Sequence, residues 1–330
     1  MGLTYNLKQD CPQSEAEDAA AECEERETVE SIVRALQSGG HTVKEFPYGS
    51  GLLRQLEDER PDIVFNVAEG WSGRNREALV PAILEFLGIP YTGSDPLTLG
   101  LALDKVAAKR VVLAGGVPTP RFFEVTRLED LAALERAGLS YPLFAKPAWE
   151  GSSKGVRSRS LLEDPAALKA QVEWLLRTYR QPVLVEEFLP GREFSVGLLG
   201  NGELTVFPII EVLPGEELAR ELGGRNFVYS YEVKSGNRER FRCPAPLTEE
   251  EERKVVAVAV QSYRLLGCRD LARIDLRCDA AGEPHFLEAN PLPGLSKVSL
   301  FPLQVRAAGL SFEELINAIL AVALERYGLG

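Results

Sequence analysis

Residues 271–290 constrain this chain more than any other stretch. Leu271 to Cys278 alternates apolar and charged side chains, turns through Asp279 to Glu283, and returns as His285 to Asn290. Side chains two apart on a strand share a face. Arg273, Asp275 and Arg277 therefore share one face of the outgoing strand, opposite Ala272, Ile274 and Leu276. On the return strand Phe286, Glu288 and Asn290 are expected together, with Leu287 and Ala289 opposite. In a flat hairpin the polar faces coincide, so Asp275, Glu288 and Asn290 converge. Two carboxylates and an amide oxygen suit a hard divalent cation that also takes phosphate oxygens. The same pattern serves as the solvated outer side of an antiparallel sheet. The rigid Asn290-Pro291-Leu292-Pro293-Gly294 exit is not needed for that second role.

Upstream, 330 residues give room for two or three domains at about 100–200 residues each. Strand and helix alternate over the first hundred or so residues. A helix over Thr28–Ser38 stops at Gly39-Gly40. A strand at Thr42–Phe46, a helix at Leu52–Glu59, a strand at Ile63–Val67 and a helix at Glu77–Leu87 follow. This reads as a small parallel α/β unit. The acidic run before it (Asp10, Glu15, Glu17, Asp18, Glu22, Glu24, Glu25, Glu27, Glu30) reads as a solvated loop or frayed helix. A second unit holds a helix from Asp104, the strand Leu143–Lys146, a Gly/Ser loop at Glu150–Gly155, a helix at Pro165–Tyr179 and the strand Val183–Phe188. The third opens its helix with a capping box, Thr248 with Glu251, and closes on an amphipathic helix at Phe312–Tyr327. The division is 1–102, 103–181 and 182–330.

Charge and composition narrow the function. Lys plus Arg is 37 against 49 Asp plus Glu, a net charge of −12 with no basic stripe, so nucleic acid is not expected as a partner. No apolar run reaches the ~18–20 residues of a membrane span, and no secretion signal opens the chain. The five cysteines are scattered without a CxxC pair and read as free thiols of a cytoplasmic protein. A nucleotide, which needs only a few placed cations, fits better. Lys146 ends an apolar strand, where it can meet a phosphate as a point charge. The loop after it offers backbone N–H groups for a phosphate, or is a plain surface turn. Glu186, Glu187 and Glu193 around a strand end can accept from ribose hydroxyls, or form an exposed acidic turn.

The order of these pieces is that of an ATP-grasp enzyme. Over about residues 60–325 the chain resembles the D-alanine–D-alanine ligase family. The matching stretches are Ile89-Pro-Tyr-Thr-Gly-Ser94, Leu103-Asp-Lys105, Ala145-Lys-Pro147 with Glu150-Gly-Ser-Ser153, Val183 to Leu189 with Glu193-Phe194, Ala272-Arg-Ile-Asp275, and Phe286-Leu-Glu-Ala-Asn290 with Pro293-Gly294. The resemblance implies an α/β chain, α+β in its nucleotide-binding part: an ATP-grasp fold behind a Rossmann-like N-terminal domain. It implies a carboxylate–amine ligase using ATP and two magnesium ions, with manganese as a substitute, acting on small amino acids and forming a homodimer. Lys105, Lys146 and Ser153 would hold ATP phosphates. Glu186, Glu187, Leu189 and Glu193 would bind adenine and ribose, and Asp275, Glu288 and Asn290 the metals. Ser152 would cover the phosphates and the first substrate, and Lys234 would meet the transferred phosphate. Arg273 and the backbone at Gly294 would stabilise the tetrahedral intermediate, while Ser299 and Leu300, with Lys297 near, would take the second substrate's carboxylate.

Three departures touch the substrates. Met1 to Lys8 lacks the family's glycines, so the glutamate for the first amino group is Glu24, Glu25 or Glu27, of which Glu27 is preferred. The family's His-Gly is replaced by Phe65-Asn66-Val-Ala-Glu69-Gly70-Trp71, followed by the basic Arg74-Asn75-Arg76. Ser235, where the family carries tyrosine, follows Lys234. Arg74 and Arg76 near the cleft mouth predict a first substrate larger or more anionic than D-alanine; a surface role for both is the other reading. Peptidoglycan D-alanine ligation leads. Another amino-acid or peptide ligase, or a nucleotide-binding regulator without catalysis, stands behind it.

Overall fold

The computed structural model describes residues 1–11 and 16–329. Glu15, part of the acidic run, lies outside them. The first unit runs β1 (Gly2–Tyr5), α1 (Arg26–Ser38), β2 (Lys44–Pro47), α2 (Leu52–Glu59), β3 (Val64–Asn66), α3 (Leu79–Leu87) and α4 (Pro96–Leu103). Its sheet is parallel, in order β2-β1-β3. Parallel strands need crossovers with helices on both faces. Leu3, Tyr5 and Phe65 accordingly pack towards α1, and Phe46 and Val64 towards α2 and α3. Asn66 is buried inside this unit, accepting from the Thr4 hydroxyl at 2.7 Å.

The second unit comprises α5 (Lys105–Ala114), β4 (Phe122–Val125), α6 (Leu131–Ala137), β5 (Leu143–Pro147), β6 (Leu161–Leu162), α7 (Pro165–Tyr179) and β7 (Val183–Glu187). The strands form one antiparallel sheet in order β4-β7-β5-β6. Because β7 pairs with β4 and β5, the change of sheet falls after Glu187 and not at 181–182. We propose the three-way division with that boundary moved. α7 has the expected limits, since Asp164 caps it by accepting from the Ala167 N–H and Pro165 opens it.

The third unit holds β8 (Glu193–Leu199), β9 (Thr205–Val206), β10 (Ile210–Pro214), α8 (Glu216–Leu222), α9 (Tyr231–Ser235), β11 (Glu239–Arg242), α10 (Glu249–Leu266), β12 (Leu271–Cys278), β13 (Pro284–Asn290), α11 (Leu300–Ala307) and α12 (Phe312–Tyr327). Its antiparallel sheet has the order β11-β10-β8-β12-β13, with β9 on β8. The Thr248–Glu251 box caps α10 as expected. The hairpin register pairs Arg273 with Asn290 and Asp275 with Glu288, then shifts so that Leu276 pairs with Phe286. Leu287 is the extra residue of a bulge. It corrects one expectation: Phe286 does not share the face of Glu288 but is fully buried with Ile274 and Leu276 against α10. α12 leaves this unit and packs on α1, where Asn317 donates to the Ala35 carbonyl at 2.8 Å.

Two further expectations are corrected. Cys11 and Cys23 are joined as a disulfide, which leaves Cys243, Cys268 and Cys278 as free thiols. The acidic run is not uniformly solvated, because Asp18 and Glu22 are buried. Among the described residues no single helix is long and apolar enough to cross a membrane.

Candidate active site

Between the second and third sheets lies a cavity of about 490 Å³. Its floor is the β12–β13 hairpin. Asp275 accepts from Arg273 Nε at 3.0 Å and Nη2 at 2.8 Å, from the Ser195 hydroxyl at 2.7 Å and from Asn290 Nδ2 at 3.0 Å. Asn290 thereby keeps its amide oxygen for another partner. Glu288 faces Lys105 at 3.6 Å and Lys146 at 3.4 Å. Burial alone would raise its carboxyl, but Lys105, Lys146 and Arg273 outweigh burial and hold it at about 2. The charged Glu288, the Asp275 carboxyl held by Arg273 and the Asn290 amide oxygen on neighbouring strands are hard oxygen donors, so these residues fit a divalent cation of the magnesium class. The surrounding cations fit a polyphosphate.

Lys146 also pairs with Glu186 at 3.4 Å, and Lys109 meets the same carboxylate at 2.8 Å. Glu186 is therefore spent inside the wall on two lysines. Its side chain is not free for ribose, as the strand-end reading had it. Glu187 accepts from the Ser140 N–H at 2.8 Å, and Glu193 pairs with Arg277 at 2.8 Å. The Leu189 carbonyl takes Arg277 Nε at 2.6 Å, while the Leu189 N–H bonds nothing among the described residues. Ser152 and Ser153 line the cavity in left-handed conformations, φ +48° and +59°. Glu22 holds their loop by accepting from the Gly151 N–H at 2.6 Å, and Asp18 by accepting from the Gly155 N–H at 2.9 Å. The segment around α9 meets that loop: Tyr231 N–H donates to the Val156 carbonyl at 3.0 Å, and Arg157 stacks on the Tyr231 ring at 4.7 Å. Lys234 projects into the cavity, its ammonium pushed down by desolvation and by Arg273. At the far end Gly294, Ser299 and Leu300 line the wall, and the Ser296 and Ser299 hydroxyls meet at 2.7 Å. Ser299 caps α11, whose free N–H groups suit a carboxylate.

A family model described as D-ala D-ala ligase C-terminus matches residues 112–321, more than half of the chain. A protein of Sinorhizobium fredii named uncharacterized protein y4sG is 39% identical over 308 residues, covering 90% of this chain and 88% of that one. A D-alanine–D-alanine ligase of Pelotomaculum thermopropionicum is 32% identical over 310 residues, 92% of each. The chain belongs to the D-alanine–D-alanine ligase family. Its fold is the family's ATP-grasp fold. The crystal structure of D-alanine–D-alanine ligase from Bacillus anthracis complexed with ATP superposes with a TM-score of 0.76 at 22% identity, covering all of both chains. The VanG D-Ala:D-Ser ligase of Enterococcus faecalis gives 0.72 at 23%, over 98% of this chain and 99% of that one.

Within this ligase fold several substrate expectations need correction. Glu27 is exposed in the first turn of α1 and does not reach the cavity; Glu22 and Glu24 do. Ser235, Lys297 and Asn66 are not on the lining. Arg74 pairs with Asp104 at 2.6 Å, away from the lining. Arg76 is buried at 2% exposure, gripping both oxygens of Glu22 at 2.7 and 2.8 Å. It adds no free positive charge at the cleft mouth, so the case for an anionic first substrate falls. Sequence reasoning missed Lys109, although it lies four residues after Lys105 on one helix, a spacing that puts both on one face. It also missed Ser195, which supports Asp275 from β8.

Proposed function

We propose that the chain is an ATP-dependent, ADP-forming ligase that joins two amino acids by an amide bond. The observation that supports this best is Glu288 set between Lys105 and Lys146, across the hairpin from the Asp275–Asn290 pair. A carboxylate oxygen of the first amino acid attacks the γ-phosphorus, the bond to ADP breaks, and an acyl phosphate forms. The amine nitrogen of the second amino acid attacks the acyl carbon, phosphate leaves, and the amine proton goes with it. Lys105, Lys146 and Lys234 balance the charge on the transferring phosphoryl group, which is catalysis by position and electrostatics. Arg273 keeps Nη1 unengaged by Asp275 and offers it to the oxyanion. Asp275, Glu288 and Asn290 would hold magnesium, which supplies Lewis-acid screening of the phosphates. Ser299 and the first N–H groups of α11 take the second carboxylate.

Relatives of this chain are named for joining D-alanine to D-alanine, and that pair is the first to assay. A different first substrate is the second reading, favoured by unpaired carboxylates in the cavity. ADP release measured across D- and L-amino acid pairs tests the proposal. Release that depends on both an acid and an amine supports it; binding of ATP without release for any pair overturns it in favour of a regulator. The homodimer implied by the resemblance is checked by sedimentation.

A further inference from the structure

We propose that the first-substrate end of the cavity takes an amino acid whose side chain ends in a cation, an ammonium or guanidinium, in place of a small neutral group. This rests on the ligase reading above.

Five glutamates stand at this end: Glu22, Glu24, Glu69, Glu77 and Glu150. Glu22 is spent on Arg76 and, at 3.1 Å, on Lys154. Glu150 is spent on Lys154, on Arg76 at 3.4 Å and on Gln181 at 2.7 Å. The other three have no cation within ion-pair distance among the described residues. Glu77 is the clearest: it lines the cavity at 9% exposure and makes no side-chain hydrogen bond or ion pair among the described residues. Among the same residues Glu69 makes no side-chain bond either, while Glu24 meets the Thr28 side chain. Burial pushes Glu24 and Glu77 up to about 7 and Glu69 well above the usual carboxylate range, and the neighbouring glutamates add to the rise at all three.

A carboxylate shielded from water without a counter-cation is costly, so it either keeps its proton or is balanced by a cation that arrives, and three stand together here. The nearby cations are committed. Lys105 donates to the Glu150 carbonyl and faces Glu288. Arg76 gives its two terminal nitrogens to the Trp149 carbonyl and to Glu22, its buried Nε meets no acceptor among the described residues, and its charge offsets only part of the rise at Glu77. Lys234 is felt by Glu69 but forms no ion pair with it. A metal ion is a poor occupant, because no three His, Cys, Asp or Glu side chains among the described residues converge closely enough to hold one. Spread carboxylates call for an extended organic cation. The α-ammonium of any amino acid balances one of the three; the surplus is balanced by a second positive group further along the same molecule.

The test compares ornithine with norvaline, which has the same carbon chain without the terminal amine, in both hands. Calorimetry on the full chain with a non-hydrolysable ATP analogue gives affinity, and ADP release gives turnover. Ornithine of one hand should bind at least about tenfold tighter than norvaline. Glu77→Gln and Glu69→Gln should each pull that ratio towards one. Norvaline bound as well as ornithine, neither bound, or a ratio untouched by both substitutions overturns the proposal. Ornithine bound without ADP release for any amine overturns the ligase reading and leaves the charge assignment standing. Turnover of D-alanine with no gain from a terminal amine does the reverse.

Discussion

Glu288 and Glu77 show how one residue type acquires opposite properties from its surroundings. Lysines hold the first ionised at about 2; burial, only partly offset by Arg76, lifts the second to about 7. Glu288→Gln keeps the shape and removes the charge, so ADP release should fall at least ~100-fold, the scale of losing one preorganised electrostatic group. A smaller loss in steady-state ADP release would move the metal and phosphate chemistry elsewhere. Glu77 also sets a pH dependence. Its folded pKa lies above the unfolded value, so between about 4.5 and about 7 the folded state keeps a proton that the unfolded state has shed. Stability therefore falls as pH rises through that window and levels off above it, with Glu24 adding the same sign. Urea unfolding from pH 4.5 to 8 should show this slope in the wild type and a flatter one in Glu77→Gln, which should melt no lower than wild type at pH 8. Arg76 is the counter-case. Arg76→Met leaves Glu22 and Glu150 short of charge and should cost about 3–5 kcal/mol in the same assay; a cost under ~1 kcal/mol would make the pair incidental.

At the scale of elements, legibility followed locality. α7 and α10 were readable because their caps are in the sequence itself, Asp164 with Pro165 and Thr248 with Glu251. β1 was not, since four residues around a buried Thr4 carry no alternation, and the partner that satisfies Thr4 is Asn66 on another strand. The hairpin was half legible. Its polar face was read correctly at Asp275, Glu288 and Asn290, but no residue type announces a bulge at Leu287. The bulge lets Phe286 fill the core while Glu288 still faces the cavity. Leu287→Ala keeps the extra residue and should melt within a few degrees of wild type. Deleting Leu287 turns Phe286 out of the core and should abolish the cooperative melt; a normal melt would mean the bulge is dispensable. Gly197 is a second such device. A Cβ there would stand 2.7 Å from Gln304 Oε1 and 3.1 Å from the Phe301 ring, so β8 and α11 touch across it. Gly197→Ala should push α11 away, raise KM for the second amino acid more than for ATP, and cost about 1–3 kcal/mol. Equal effects on both KM values would detach α11 from the carboxylate.

Across the whole molecule, the order of motifs grouped Lys105, Lys146, Asp275, Glu288 and Asn290, and they do line one cavity, because each motif is short and the family's spacing carries it. Charge partners across the chain stayed hidden. The acidic run looked solvated because nothing near it in sequence answers Glu22; its partners are Arg76, Lys154 and the Gly151 N–H. The same blindness made Arg76 look like a free cation. The return of α12 to α1 has a consequence for how the chain is made. Leu3, Val29, Ile32 and Leu36 share a core with Leu315, Ile316, Ile319 and Leu320, and the Asn317 to Ala35 bond spans 282 residues. On the ribosome, at about 5–20 residues per second, the first sheet would wait roughly a quarter of a minute to a minute with that apolar side bare. The nascent first unit is thus a client for whatever holds unfinished chains apart, and expressing residues 1–102 alone should give aggregates that a co-expressed 300–329 segment partly prevents.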